Sequence, residues 1–141
     1  MSTCARIGLQ LTDKTIKSVY CHQDGYLKYT GAILKEFYKD YDSVKALIDL
    51  GDLSLVGETI GKEVDFDTYS SIEAICDRKK NGEKEQTIAY HRDRKEPLRF
   101  ECYNTIEDYI REWSGSADYV YLFKDNKWYV YSDELEEFIN Y

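Results

Sequence analysis

YCHQDGY, residues 20–26, is the stretch around which the chain is arranged, because a strand pattern ends there and a helical pattern begins near Thr30-Gly31. Asp24-Gly25 is a turn signal. A cysteine, a histidine and two tyrosines surround this turn and form a dense set of chemically capable side chains. Two interpretations stay open at this point: the wall of a ligand pocket, or a structural turn with core tyrosines and a satisfied histidine.

The residues before the turn predict an antiparallel pair of strands. Residues 5–11 alternate between apolar and polar side chains, which indicates a half-buried strand. Residues 15–22 alternate in the same way and are predicted as its partner. Cys21 and His22 then point to opposite faces of the sheet, so they cannot readily act together as a nucleophile and its base.

The residues after the turn predict two short helices. Thr30 is placed to cap the first helix, and Gly31 leaves the backbone amides of its first turn open to an anion. Asp42 or Ser43 begins the second helix, and Gly51 is placed as its left-handed stop. The stretch from residue 52 to residue 71 lacks a clear period and is predicted as loop with room for a short turn of helix.

The second half of the chain mixes strands and helices. A short apolar element at 71–77, either strand or helix, and a strand at 86–91 flank a charged connection, and this arrangement suggests a hairpin. The remaining predicted elements are strands at 98–103, 119–124 and 128–131, a helix at 106–113 capped by Asn104-Thr105, and a terminal helix from Ser132 or Asp133 with Leu135, Phe138 and Ile139 facing inward. Hairpins outnumber crossovers in this pattern. The sequence therefore predicts a single α+β domain, residues 1–141, whose mostly antiparallel sheet has three or four short helices packed on one face.

Length, charge and composition limit the possible functions. A chain of 141 residues fits one domain, and its net charge of −8 disfavours direct nucleic-acid binding, which uses a basic face. No apolar run approaches the ~20 residues of a membrane span, and residues 1–6 lack the apolar stretch of a signal peptide. We expect a cytoplasmic protein with no membrane partner. The 14 tyrosines favour a binding surface, and a homo-oligomer is compatible with the sequence.

The side chains able to ligate a metal are far apart: Cys21, His22, Cys76, His91 and Cys102. Structural zinc sites take their ligands in close pairs, so this spacing disfavours a metal site, and a reducing compartment favours free thiols. Covalent catalysis by Cys21 would require tertiary contact with His91 and Asp24. Because no hydrolase signature or phosphate-binding glycine loop is present, we assign no catalytic residue and no cofactor.

The segment 78–99 is basic within an acidic chain, since its eight basic residues outnumber its four acidic ones. Arginines that follow a strand can hold phosphate oxygens there, and the alternative is a solvated loop whose arginines pair with the chain's own carboxylates. Asp24 and one of these arginines must lie at the same end of the sheet if the two segments form one site. The predicted ligand-binding residues are Tyr20, His22, Asp24, Gly25, Tyr26, Gly31, His91, Arg92 and Arg94.

Several segments carry a resemblance to known proteins: ARIG (5–8), YCHQDGY (20–26), LGDLS (50–54), YHRDR (90–94) and YVYLF (119–123). With these segments the chain resembles a family of small proteins of tailed bacteriophages and prophages that carry a YCHxDGY-type motif near the N-terminus. Gln23 stands where the family has tryptophan, and Leu27 where it has proline. The resemblance implies an accessory viral protein in the host cytoplasm, and interference with host immunity is a common role of such proteins.

The leading hypothesis is a non-enzymatic inhibitor of host antiviral defence. In one mode it binds a nucleotide-derived signal, with tyrosines stacking on the base and arginines holding phosphates. In the other mode it binds a host defence protein through the acidic surface outside the basic segment. A small nucleotide-processing hydrolase that uses His22 or His91 is the alternative.

Overall fold

The structure is a computed structural model that describes residues 3–132, 135 and 137–141. Within those residues the chain forms eight strands: β1 (Ala5–Gln10), β2 (Ile16–Cys21), β3 (Leu53–Leu55), β4 (Ile88–Ala89), β5 (Glu101–Tyr103), β6 (Tyr119–Lys124), β7 (Lys127–Tyr131) and β8 (Ile139–Asn140). The same residues form six α-helices: α1 (Ala32–Phe37), α2 (Tyr41–Ile48), α3 (Phe66–Tyr69), α4 (Ile72–Lys80), α5 (Tyr90–Arg94) and α6 (Ile106–Trp113). A π-helical turn, Leu27–Gly31, runs directly into α1.

The strands form one mixed sheet in the order β4-β3-β2-β1-β6-β7-β8, and β5 also pairs with β2. Five of its seven strand pairings are antiparallel, whereas β1 with β6 and β2 with β3 are parallel. The predicted α+β class is confirmed. The parallel pair β2 and β3 requires a crossover connection, which α1 and α2 supply, and the hairpin pattern had not indicated it.

Helices α1 and α2 cover one face of the sheet. Asp40 begins α2 with a capping box, in which its carboxylate accepts from the Ser43 amide at 2.8 Å and its own amide lies 3.4 Å from the Ser43 hydroxyl. Asp40 is therefore the N-cap of α2, rather than Asp42 or Ser43. The side chains buried between these helices and the sheet include Ile7, Leu9, Val19, Leu34, Val44, Leu47 and Ile48.

Helix α6 covers the opposite face. Tyr109 of α6 is fully buried, and its hydroxyl donates to the Tyr121 carbonyl at 2.7 Å. Gly8 of β1 allows this contact, because a Cβ there would lie 2.9 Å from the Tyr109 ring. The prediction of a half-buried first strand under helices on one face was wrong. β1 lies in the middle of the sheet, between β2 and β6, and both of its faces are covered.

The predicted cap of the first helix was wrong. The helical backbone already starts at Leu27, and the Thr30 hydroxyl donates instead to the Asp24 carbonyl at 2.7 Å. Thr30 therefore stabilises the preceding turn. It caps no helix, because it lies inside a helical segment.

The predicted terminal helix was also wrong for the described residues. Ile139–Asn140 forms β8 and pairs with β7, where Asn140 lies opposite Tyr129. Ser132 accepts from the Leu135 amide through its hydroxyl at 3.3 Å, which makes a turn before the strand. Asp133, the other proposed cap, lies outside the described residues. Ile139, which was predicted on the inner face of a helix, instead lies in a strand that pairs with β7.

The hairpin predicted between residues 71 and 91 is replaced by helices. Ser71 caps α4 by accepting from the Ala74 amide at 3.1 Å. The apolar element at 71–77 is therefore a helix and not a strand. The strand predicted at 86–91 shortens to β4, and α5 begins at Tyr90. His91, Arg92 and Arg94 therefore lie on a helix rather than at a strand end, and their side chains point in different directions.

Candidate functional site

The turn at residues 24–25 depends on the backbone conformation of Asp24 and on the missing side chain of Gly25. Asp24 adopts φ 53°, a left-handed conformation that Asp tolerates better than most residues. Gly25 packs against the N-terminal strand, since a Cβ there would lie 2.7 Å from that of Ala5. The Gly25 carbonyl accepts from the buried Tyr121 hydroxyl at 2.8 Å. Asp24 therefore supplies the left-handed turn, and Gly25 supplies the close approach.

Gly31 offers no open amides to an anion. Its own amide donates to the Tyr26 carbonyl at 3.4 Å, and the Ala32 amide donates back to the Leu27 carbonyl within the π-helical turn. The Gly31 carbonyl accepts from the Tyr141 hydroxyl at 2.9 Å. Tyr26, at the start of this turn, remains 39% exposed. The expected anion position at Gly31 is thus filled by the chain itself.

A cleft of about 240 Å³ lies on the other side of the opening stretch, where the end of β2 meets α5. We call it the arginine cleft, and it is lined by Tyr20, Asp52, Tyr90, His91, Arg94, Glu96, Pro97 and Arg99. Two tyrosines, two arginines and an imidazole thus share one concave surface. Planar aromatic faces and guanidinium forks are the groups that bind a base and its phosphates.

Asp52 assembles the arginine cleft through its backbone and side chain. The Asp52 carboxylate accepts from the Tyr20 amide at 2.9 Å, and its carbonyl accepts from the Tyr90 amide at 3.2 Å. Its own amide donates to the Arg99 carbonyl at 3.0 Å. These bonds are possible because β3 starts at the level where β2 ends, with Leu53 opposite Cys21.

The charged groups of the cleft surround Glu96. Its carboxylate lies 3.6 Å from Arg94 Nε and 3.9 Å from Arg99 Nη1, and both arginine side chains are more than half exposed. His91 Nδ1 donates to the Glu96 carbonyl at 2.7 Å, because a carbonyl can only accept. A neutral His91 therefore carries its proton on Nδ1 and leaves Nε2 as an acceptor.

An aromatic stack supports the cleft from behind. The Phe66 ring lies 5.8 Å from the Tyr90 ring in a stacked arrangement, and the Arg94 guanidinium lies 4.9 Å above Phe66. Burial raises the pKa of both Tyr20 and Tyr90 above its ordinary value of 10.0, so both phenols are neutral at physiological pH. On the open side, the Tyr20 hydroxyl lies 3.0 Å from His22 Nδ1.

Arg92 points away from the cleft into the protein. It donates to the Thr87 carbonyl at 2.8 Å and to the Ile60 carbonyl at 3.0 Å, and its Nε lies 3.0 Å from the Asp93 carboxylate. The Asp93 side chain has no exposed surface. Arg92 therefore makes structural contacts, whereas Arg94, two residues later, faces solvent.

Asp24 lines a different cleft, of about 320 Å³, with Gln23, Tyr29 and Arg78 among its walls. Arg78 is held there by Glu85, whose carboxylate lies 3.1 Å from its Nη2. The structure thus brings Tyr20, His91 and Arg94 together and places His22 beside Tyr20. Asp24, Gly25, Tyr26, Gly31 and Arg92 do not line the same cleft.

Sequence reasoning missed five members of the arginine cleft: Asp52, Tyr90, Glu96, Pro97 and Arg99. Tyr90 and Arg99 lie within or beside the segment already identified as basic, so the charge pattern pointed close to them. Asp52 acts through backbone groups of β2, α5 and the segment before β5, which no local sequence pattern records. Glu96 was counted only as an acidic residue of the segment.

Cys21 is not placed for covalent chemistry. It is fully buried on the face covered by α1 and α2, and burial raises the pKa of its thiol to about 12. Its Sγ donates to the Gln23 carbonyl at 3.5 Å. Since the thiolate is the nucleophile, Cys21 stays unreactive at neutral pH.

Comparison with protein-family models, curated proteins and solved structures finds no match to this chain. The described residues contain no cluster of three or more histidine, cysteine or acidic side chains that could hold a metal ion. Among the same residues, no helix has the length and apolar character needed to cross a membrane.

Proposed function

We propose that this protein is a phage-encoded accessory protein that inhibits host antiviral defence by binding a nucleotide-derived signal in the arginine cleft. The observation that carries the proposal is the shared placement of Tyr20, Tyr90, His91, Arg94 and Arg99 around one concavity. The phage origin and the role against host defence rest on the sequence resemblance.

The cleft chemistry supports sequestration of such a signal. Tyr20 and Tyr90 offer neutral aromatic surface for a base, and Arg94 and Arg99 offer charge-assisted hydrogen bonds to phosphates. His91 presents Nε2 to a polar group of the ligand. The buried Cys21 thiol offers no nucleophile for covalent attack on such a ligand.

Calorimetric titration with a panel of cyclic and linear nucleotides tests the proposal. We expect at least one nucleotide to bind with a dissociation constant at or below the micromolar range. Replacing Tyr20 or Arg94 by alanine should weaken that binding about tenfold or more, because each removes a stacking or charge-assisted contact. Arg111→Ala, which changes an exposed arginine of α6 outside the cleft, is the matched control.

The same samples separate sequestration from catalysis. After incubation with and without divalent metal, the bound nucleotide should be recovered unchanged when the protein is denatured. A product that disappears in the His91→Ala variant would favour the hydrolase. No heat with any nucleotide well above micromolar concentration contradicts the proposal, and capture of one defence protein at low but not high salt would then favour the protein-binding mode.

A further inference from the structure

Glu96 lies between the two arginines of the arginine cleft. Its two carboxylate oxygens face different arginines, with Oε2 toward Arg94 and Oε1 toward Arg99. We propose that Glu96 is an internal competitor, which holds the two arginines in the free protein and is displaced by a phosphate group of the ligand. This inference rests on the proposed nucleotide binding at the arginine cleft. Glu96 then sets the affinity and the selectivity of the cleft for its ligand.

The ion pairs of Glu96 are weak enough to be exchanged. Their lengths of 3.6 Å and 3.9 Å exceed the ~2.8 Å of a good charge-assisted hydrogen bond. One third of the Glu96 side chain is exposed, and the arginine side chains are 53% and 65% exposed. Exposed ion pairs of this kind contribute little to stability, so a better anion can replace the carboxylate.

The backbone holds Glu96 firmly at this position. Lys95 adopts φ 61°, which turns the chain back at the end of α5 although a non-glycine residue is strained there. The Glu96 amide then donates to the Tyr90 carbonyl at 3.2 Å, while the Glu96 carbonyl accepts from His91. Pro97 further restricts the residue before it to an extended conformation. Only the side chain of Glu96 is left free to move.

The competition defines the class of ligand. A ligand carboxylate would bring the same single charge that Glu96 already supplies and would gain little by replacing it. A phosphate or pyrophosphate brings more charge and more acceptor oxygens to the guanidinium groups of Arg94 and Arg99. The cleft therefore selects phosphorylated ligands over carboxylates of similar shape.

Removing the charge of Glu96 tests the inference, with inorganic pyrophosphate as the probe. We expect Glu96→Gln to bind pyrophosphate about five- to tenfold more tightly than the wild-type protein, because the ligand no longer has to break two exposed ion pairs. Glu63→Gln is the matched control, since Glu63 pairs with exposed Lys95 at 2.8 Å and does not line the cleft. Its affinity for pyrophosphate should equal that of the wild type.

Amide chemical shifts measured during the titration locate the binding and show that each variant remains folded. The gain in affinity should vanish when Arg94→Gln is added to Glu96→Gln, because the competed group is then absent. Equal pyrophosphate affinity in the wild type and Glu96→Gln, or no binding by either, overturns the inference. Nucleotide binding unchanged by Glu96→Gln leaves the proposed function standing. Tighter pyrophosphate binding without binding of any nucleotide removes the nucleotide function instead.

Discussion

Arg92 and Arg94 of α5 have different roles because side chains two residues apart on a helix point to different sides of it. Arg92 lies against the buried Asp93 carboxylate, which also accepts from the Ala89 amide at 2.8 Å and the Val64 amide at 3.0 Å. This network ties α5 to the loop after β3. Arg94 instead reaches the open cleft. Arg92 therefore has a structural role, whereas the Arg94 side chain is open to solvent.

Arg92→Ala should lower the free energy of unfolding by about 3 kcal/mol or more, because it leaves the Asp93 carboxylate buried without its cation. Arg94→Ala is the matched comparison, and it should change stability by less than about 1 kcal/mol while weakening ligand binding. Urea denaturation followed by circular dichroism measures both changes. A stability loss of equal size in the two variants would contradict the separate roles.

Helix α6 is the element that buries the second face of the sheet. Thr105 caps it by accepting from the Asp108 amide at 3.1 Å, and Glu107 and Asp108 favour its N-terminus through the helix dipole. Tyr109 then fills the space above Gly8 of β1. Because the face beneath α6 also includes the nearly buried Arg6 of β1, this helix excludes water from a charged as well as an apolar surface.

Tyr109→Ala should lower the free energy of unfolding by about 3–5 kcal/mol, since it opens a cavity and removes the hydrogen bond to the Tyr121 carbonyl. Glu112→Ala, on the exposed side of the same helix, is the control and should change stability by less than about 0.5 kcal/mol. Chemical denaturation provides the measurement. A small effect of the Tyr109 change would mean that α6 does not pack on the sheet.

At the scale of the whole molecule, buried tyrosines link stability to alkaline pH. Burial is the first cause of the raised pKa in each of them, and it raises the pKa of Tyr29 to about 12 from an ordinary 10.0. Burial also raises the pKa of Tyr38, Tyr109 and Tyr121 in the core and of the partly buried Tyr141. The unfolded chain would lose these protons at a lower pH than the folded protein does.

The folded protein should therefore keep its full stability below about pH 10 and lose it as the pH rises further, by up to ~1.4 kcal/mol per pH unit for each such group. Tyrosinate absorbance and circular dichroism should change together in one cooperative transition. Tyr29→Phe should make the decline shallower, because one titrating group is removed. Complete tyrosine ionisation near pH 10 with unchanged circular dichroism would contradict this linkage.

The sequence by itself determined the elements whose signals are local. The alternation of β1 and β2, the aromatic hairpin of β6 and β7, and the Thr105 cap of α6 each depend on neighbours within a few residues. The α+β class followed from their order. Tyr20, His91 and Arg94 were also recognised as candidates for binding, because their residue types and the local charge indicated it.

Only the tertiary structure decided which of those candidates share a surface. The parallel pairing of β1 with β6 joins residues more than a hundred positions apart, and it places β1 in the centre with both faces covered. Tyr90 begins a helix instead of continuing β4, which turns Arg92 inward and Arg94 outward. These outcomes depend on long-range hydrogen bonds and burial, such as the contacts of Asp52 with β2 and α5. Local periodicity carries no record of such contacts, because they form only when distant segments pack together.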